Sequence, residues 1–109
     1  MHVLTHSLHE IPASVEHDIA HFWDGTTSYL PIWQQTSWAR MLMEAGGMEE
    51  GFFVGVYKSE KLVSYALVEK RAIGLGKYGY FCVGGPNVRE ASCFSLLEDA
   101  MIELVCNQA

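Results

Sequence analysis

The sequence predicts an α+β fold: a mainly antiparallel sheet flanked by helices, in the order β-α-α-β-β-β-α. Three observations carry that prediction. Two stretches before residue 47 repeat their apolar residues at helical spacing. Three consecutive stretches from 52 to 83 are rich in β-branched and aromatic residues and are joined by hairpin-sized links. A last segment returns to helical spacing from Phe94 onward. At 109 residues the chain makes one domain, with a modest core.

The elements follow in order. "VLTHSL" (3–8) reads as a short strand. Pro12 and Ser14 open a helix in which Val15, Ile19, Phe22 and Trp23 form one apolar stripe, and Asp24 to Ser28 end it as a loop. The second helix starts at Thr36 or Ser37, either of which can cap by accepting a backbone N–H bond. Its predicted apolar face is Trp38, Met41, Leu42 and Ala45, with Trp38 as anchor, and Gly46-Gly47 stop it because glycine accepts the left-handed conformation. "FFVGVYK" (52–58), "KLVSYALVEKR" (61–71) and "YGYFCV" (78–83) form a three-stranded meander. Asn87, with Glu90 three residues on, resembles a capping box for a final helix whose stripe is Phe94, Leu97, Met101, Leu104 and Val105. A helix of that kind packs back on the sheet and ordinarily leads to another strand, so the lobe reads as incomplete.

Composition narrows the function. Net charge is −6 and the pI about 5.2, which argues against a chain that grips nucleic acid by neutralising phosphates. Charged residues make up 18%, below the roughly 25% of ordinary domains. A partner, a second copy of the chain or a further part of the same protein is expected to cover some surface. Three cysteines without a C-x-x-C indicate neither a disulfide framework nor a zinc knuckle. With neither a signal-peptide pattern nor an apolar run of membrane-spanning length, the expected location is cytoplasmic.

Several motifs have plain readings. "GLGKYG" (74–79) matches G-x-G-x-x-G, but a strand follows where a dinucleotide site needs a helix, so a tight turn is the better reading. "RAIGLG" (71–76) matches the R-x-x-G-x-G pyrophosphate loop of GNAT acetyltransferases and meets the same objection. His17 and His21 share a helix face without a defined ligand set, and no metal site is expected. Cys82 reads as core. Glu44 and Glu69 have the chemistry of general bases. No nucleophile triad is recognisable. "YFCVGGPNV" (80–88) is more distinctive: proline cannot continue a ladder, and glycine admits a close backbone or ligand.

Three pieces occur in order: Trp33-Gln34-Gln35-Thr36-Ser37-Trp38 at a helix start, the meander "GVYKSEKLVSYALVEKRAIGLGKYGYFCV", and Gly85-Pro86 ahead of a helix. Together they resemble the N-terminal half of FemABX-type proteins, the peptidoglycan-bridge aminoacyltransferases and their relatives. The resemblance covers residues 31 to 106. It departs from the family pattern at Gln-Thr-Ser, where Gln-Ser is common, and at Asn87-Val88-Arg89, where an acidic residue is common. It implies one of two GNAT-like units, in a protein that moves an amino acid or acyl group from aminoacyl-tRNA or acyl-CoA to an amine of a cell-wall or related precursor. It further implies chain beyond Ala109, no cofactor held by these 109 residues, tRNA engaged through the further chain, and no activity for this half alone. The substrate-binding residues it suggests are Gln34, Gln35, Ser37, Trp38, Tyr80, Gly85 and Pro86; catalytic residues are not defined. Two alternatives stay open: a non-catalytic α/β interaction module that dimerises through its apolar surface, and a single-domain GNAT acyl-CoA N-acyltransferase.

Overall fold

A computed structural model describes residues 1–24 and 34–108. Gly25 to Ser28 of the expected loop, and Trp33 of the helix-start motif, lie outside the described residues. The fold is α+β: a five-stranded antiparallel sheet with three helices among the described residues. Strands β1 (His2–Ser7), β2 (Glu50–Lys58), β3 (Lys61–Gly74) and β4 (Lys77–Phe81) lie side by side in chain order, and β5 (Asn87–Val88) also pairs with β3. Helices α1 (Ala13–Phe22) and α2 (Thr36–Glu44) connect β1 to β2, and α3 (Phe94–Gln108) follows a short 3-10 turn, Ala91–Cys93.

Alternation along the central strands divides the core into two layers. Phe53, Tyr57, Leu62, Tyr65 and Leu67 pack with Val15, Ile19 and Phe22 of α1 and Ala39 of α2. Phe52, Val54, Val56, Val63, Ala66 and Val68 face the opposite way and pack with Cys93, Leu97 and Leu104 on the α3 side. Both faces of β2 and β3 are therefore covered, which explains their near-continuous apolar runs. A bulge at Val56/Tyr57 shifts the register so that Tyr57 meets Leu62 and both stay on the α1 side. At Gly55 the Phe53 ring occupies the missing side chain's place: an added Cβ would lie 2.5 Å from Phe53 Cζ.

Helix α1 buries Val15, Ile19 and Phe22 as its periodicity predicts. Helix α2 is turned by about one residue from its expected face. Ala39 is its buried residue, Leu42 and Met43 pack against the α1-side cluster, and Met41 is 49% exposed. Trp38 is half-buried and Ala45 exposed. The physical reason is polar: Thr36 Oγ1 donates to Glu16 Oε1 at 3.1 Å and Arg40 pairs with the same oxygen at 2.6 Å, fixing the rotation of α2 against α1. The small Ala39 is left against the sheet layer. Because Thr36 is spent on Glu16, it does not cap; Gln35 occupies the N-cap position without a side-chain cap bond. The helix ends as expected: Gly46 takes φ +79°, and Gly47 N–H and Gly46 N–H donate to Leu42 O and Met43 O.

Two further corrections concern the chain after β3. The third meander strand ends at Phe81, two residues early. Asn87 does not cap a helix; it belongs to β5, opposite Tyr65 of β3. Its side chain bonds elsewhere, as described below, while Glu90 reaches Lys58 Nζ at 3.4 Å and its carbonyl accepts from Cys93 N–H. In α3, Leu97 and Leu104 are buried and Met101 and Val105 half-buried, whereas Phe94 is exposed. No helix among the described residues is long and apolar enough to cross a membrane.

Candidate functional site

Strand β3 is 14 residues long, and its far edge is shared by two short strands. β4 pairs with Glu69 to Gly74 and β5 with Ser64 and Tyr65. The edge between them, around Leu67, has no strand. A buried backbone N–H and C=O without partners is costly, so something must fill the notch. Gln34 does.

The primary amide of Gln34 behaves there like a peptide unit. Leu67 N–H donates to Gln34 Oε1 at 2.9 Å, and Gln34 Nε2 donates to Leu67 O at 3.4 Å. The same nitrogen donates to Val83 O at 2.6 Å, just after β4, and Asn87 Nδ2 donates to the same Oε1 at 3.0 Å, from β5. Two donors and two lone pairs are the amide's whole capacity, so Gln34 ties three segments together and has nothing left for a ligand. It is fully buried. Its own carbonyl accepts from Tyr65 Oη at 3.2 Å, and Tyr65 Oη in turn accepts from Trp23 Nε1 at 3.0 Å. Burial pushes the Tyr65 hydroxyl well above its ordinary titration range.

Gly85 closes the notch. An added Cβ there would stand 3.0 Å from Gln34 Oε1 and 3.1 Å from Cys82 Sγ, so any side chain would have to push the amide or the thiol back by a few tenths of an ångström. The Gly85–Pro86 bond is cis. Cys82 is half-buried, and its thiol is pushed up to about 11 by burial and by the nearby Glu69 carboxylate, which keeps it protonated and a weak nucleophile at neutral pH.

Glu69 is the chemically notable residue at the rim. It begins the stretch of β3 paired with β4 and is 2% exposed. Arg71 brings both Nε, at 2.8 Å, and Nη2 to a single oxygen, Oε1. Oε2 is buried and has no hydrogen-bond partner. The other such atom among the described residues, Ser64 Oγ, lies in the part of β3 that pairs with β5. In the sequence Glu69 stood beside Glu44 as a carboxylate with the chemistry of a general base; what separates the two is a burial of Glu69 that depends on the sheet.

The seven residues expected at the site divide. Gln34 and Gly85 meet in the notch. Gln35 is half-buried at the N-cap of α2, Ser37 is exposed and Trp38 half-buried on its first turn. Tyr80 and Pro86 go to the other face: Tyr80 packs with Cys82, Val88 and Met101 against the α3-side cluster, and Pro86 lines a groove on α3. Asn87 and Cys82 join the notch without having been expected in a site, and of the two carboxylates with a general base's chemistry Glu69 lies at its rim whereas Glu44 is exposed on α2. Of the glycines of 74–79, Gly74 and Gly76 serve a turn, where Leu75 and Gly76 have φ +56° and +72° and lead into β4, and Gly79 lies within β4 opposite Arg71. Of the histidines, His21 Nδ1 meets Asp24 Oδ2 at 2.6 Å, and no group of three or more His, Cys, Asp or Glu among the described residues is placed to hold a metal ion.

No protein-family model, curated protein or solved structure matches this chain.

Proposed function

We propose that the chain is the acceptor-side lobe of an acyl- or aminoacyltransferase of the FemABX or GNAT kind, and that it holds a primary amine at Glu69, on the rim of the notch that Gln34 fills. The observation that carries this reading is Glu69 Oε2. A buried acceptor without a donor is unfavourable by about 1–3 kcal/mol, and an amine or ammonium group supplies the donor that Arg71, spent on Oε1, does not bring to Oε2. Gln34 and Gly85, two residues of the family resemblance, hold the chain segments that form the notch.

In such a transfer the amine must lose a proton before its lone pair attacks the ester or thioester carbonyl. Glu69 Oε2 is the group that holds the amine and accepts that proton. The tetrahedral intermediate then collapses, and the leaving alcohol or thiol takes a proton as the amide forms. Most of the acceleration comes from placing amine against carbonyl. With a net charge of −6, the chain itself is a poor grip for tRNA; the donor, aminoacyl-tRNA or acyl-CoA, is assigned to further chain, and a cell-wall or related precursor in the cytoplasm is the acceptor. The competing interaction-module reading is favoured by one feature, an exposed hairpin tip taken up below.

The test is an amide NMR titration with a short peptide carrying a free ε-amine, against the same peptide with that amine acetylated. The free amine is expected to give saturable shifts at Glu69, Arg71 and Gly85, lost with acetylation and in Glu69→Gln. Equal shifts from both peptides, or none, overturn the reading.

A further inference from the structure

The β3–β4 hairpin is an arm. Residues 72 to 78 are all exposed, Ile73 and Leu75 among them, and Leu75 is 99% exposed at the tip. Leu75 and Gly76 form a two-residue turn with both φ positive, a geometry that favours Asn-Gly and strains other side chains. An apolar residue at that first position, wholly in water, is the reverse of what the turn or solubility would select.

The molecule also carries a complementary surface. Pro86, Phe94, Leu97, Glu98, Met101 and Ile102 line an almost wholly apolar groove of about 230 Å³ on α3. The arm does not fill its own groove, since its tip touches nothing. Charge divides the same way. Residues 70–78 contain Lys70, Arg71 and Lys77 and no acid, and the charged residue lining the groove is Glu98, while Asp99 and Glu103 face the other side of α3, toward Val3 and Thr5. An apolar tip beside Lys77 and an apolar groove edged by Glu98 are a matched pair within one chain.

We propose that the arm of one copy docks into the α3 groove of a second copy, and the second copy's arm into the first, making a closed two-fold dimer. The two contacts are small, so the dimer is expected to dissociate in roughly the micromolar range. Salt screens the Lys77–Glu98 attraction across each contact, so each contact weakens as salt rises. This inference is independent of amine binding at Glu69, and its test has a different readout.

Sedimentation equilibrium on the full chain decides it. The wild type is expected to shift from monomer to dimer mass with concentration and to stop at the dimer. Leu75→Asn relaxes the turn, so it is expected to raise the urea midpoint while weakening association at least about tenfold. Lys77→Glu is expected to weaken association, and Lys77→Glu combined with Glu98→Lys to recover it. A single monomer mass at all concentrations, masses that grow beyond the dimer, a dimer indifferent to Leu75→Asn, or no recovery in the double variant overturns the proposal.

Discussion

The side-chain amide of Gln34 pairs with the backbone of Leu67, accepting from its N–H at 2.9 Å and donating to its carbonyl at 3.4 Å. One glutamine thus continues a sheet edge where two short strands leave it bare. Through Val83 O and Asn87 Nδ2 the same amide fixes where β4 ends and where β5 begins.

Gln34→Ala should therefore cost more than an ordinary buried polar substitution. It strands Leu67 N–H, Leu67 O, Val83 O and Asn87 Nδ2 together, and a loss of about 3 kcal/mol or more in urea unfolding is expected. Asn87→Ala removes one of the four bonds and should cost about 1 kcal/mol.

Gly85→Ala places a methyl group 3.0 Å from Gln34 Oε1 and 3.1 Å from Cys82 Sγ. Both neighbours are held, so the substitution is expected to destabilise by about 1–3 kcal/mol. Amide NMR should show the disturbance at Leu67 and Asn87, with the β1–β2 pairing unmoved.

The rotation of α2 gives a paired expectation. Ala39→Leu overpacks the layer against β2 and β3 and should cost about 1–3 kcal/mol, while Met41→Ala should lie within about 0.5 kcal/mol of wild type. The reverse order of costs in urea midpoints would return Met41 to the buried face.

Cys82 makes stability pH-dependent in a stated direction. Its thiol titrates near 9 when unfolded and near 11 in the fold, so the stabilisation is complete below about pH 9 and is lost as pH rises toward 11. Tyr57 and Tyr65, both raised by burial, add losses of the same sign at still higher pH. The urea midpoint should fall between about pH 9 and 11, and fall less in Cys82→Ala. At pH 8 an alkylating reagent should modify exposed Cys106 well before Cys82, and buried Cys93 last.

What the sequence disclosed was local. Runs such as "FFVGVYK" and "KLVSYALVEKR" announce strands because burial on both faces requires apolar residues at every position. The stripe of α1 and the Gly46-Gly47 stop follow from single-turn rules. The α2 face was misread because Trp38 offers far more apolar area to bury than Ala39, while the rotation is set by Glu16, twenty residues earlier. β5 is two residues long, too short for periodicity, and Asn87 with Glu90 imitates a capping box. The notch was legible only as a suspicion about Gln34 and Gly85-Pro86. That Gln34 spends its amide on Leu67 depends on a contact 33 residues apart in the chain, and that Glu69 keeps one oxygen buried and unpaired depends on the strands paired on either side of it, at Gly51 and Phe81.

The claim beneath the account is that Gln34, rather than a strand, closes the edge of β3. Native-state hydrogen exchange at the Leu67 amide measures it directly. In wild type that amide should exchange as slowly as the β2–β3 core; in Gln34→Ala it should exchange through local opening, faster than its β3 neighbours Ala66 and Val68. Equal protection of Leu67 relative to those neighbours in both proteins would contradict the account.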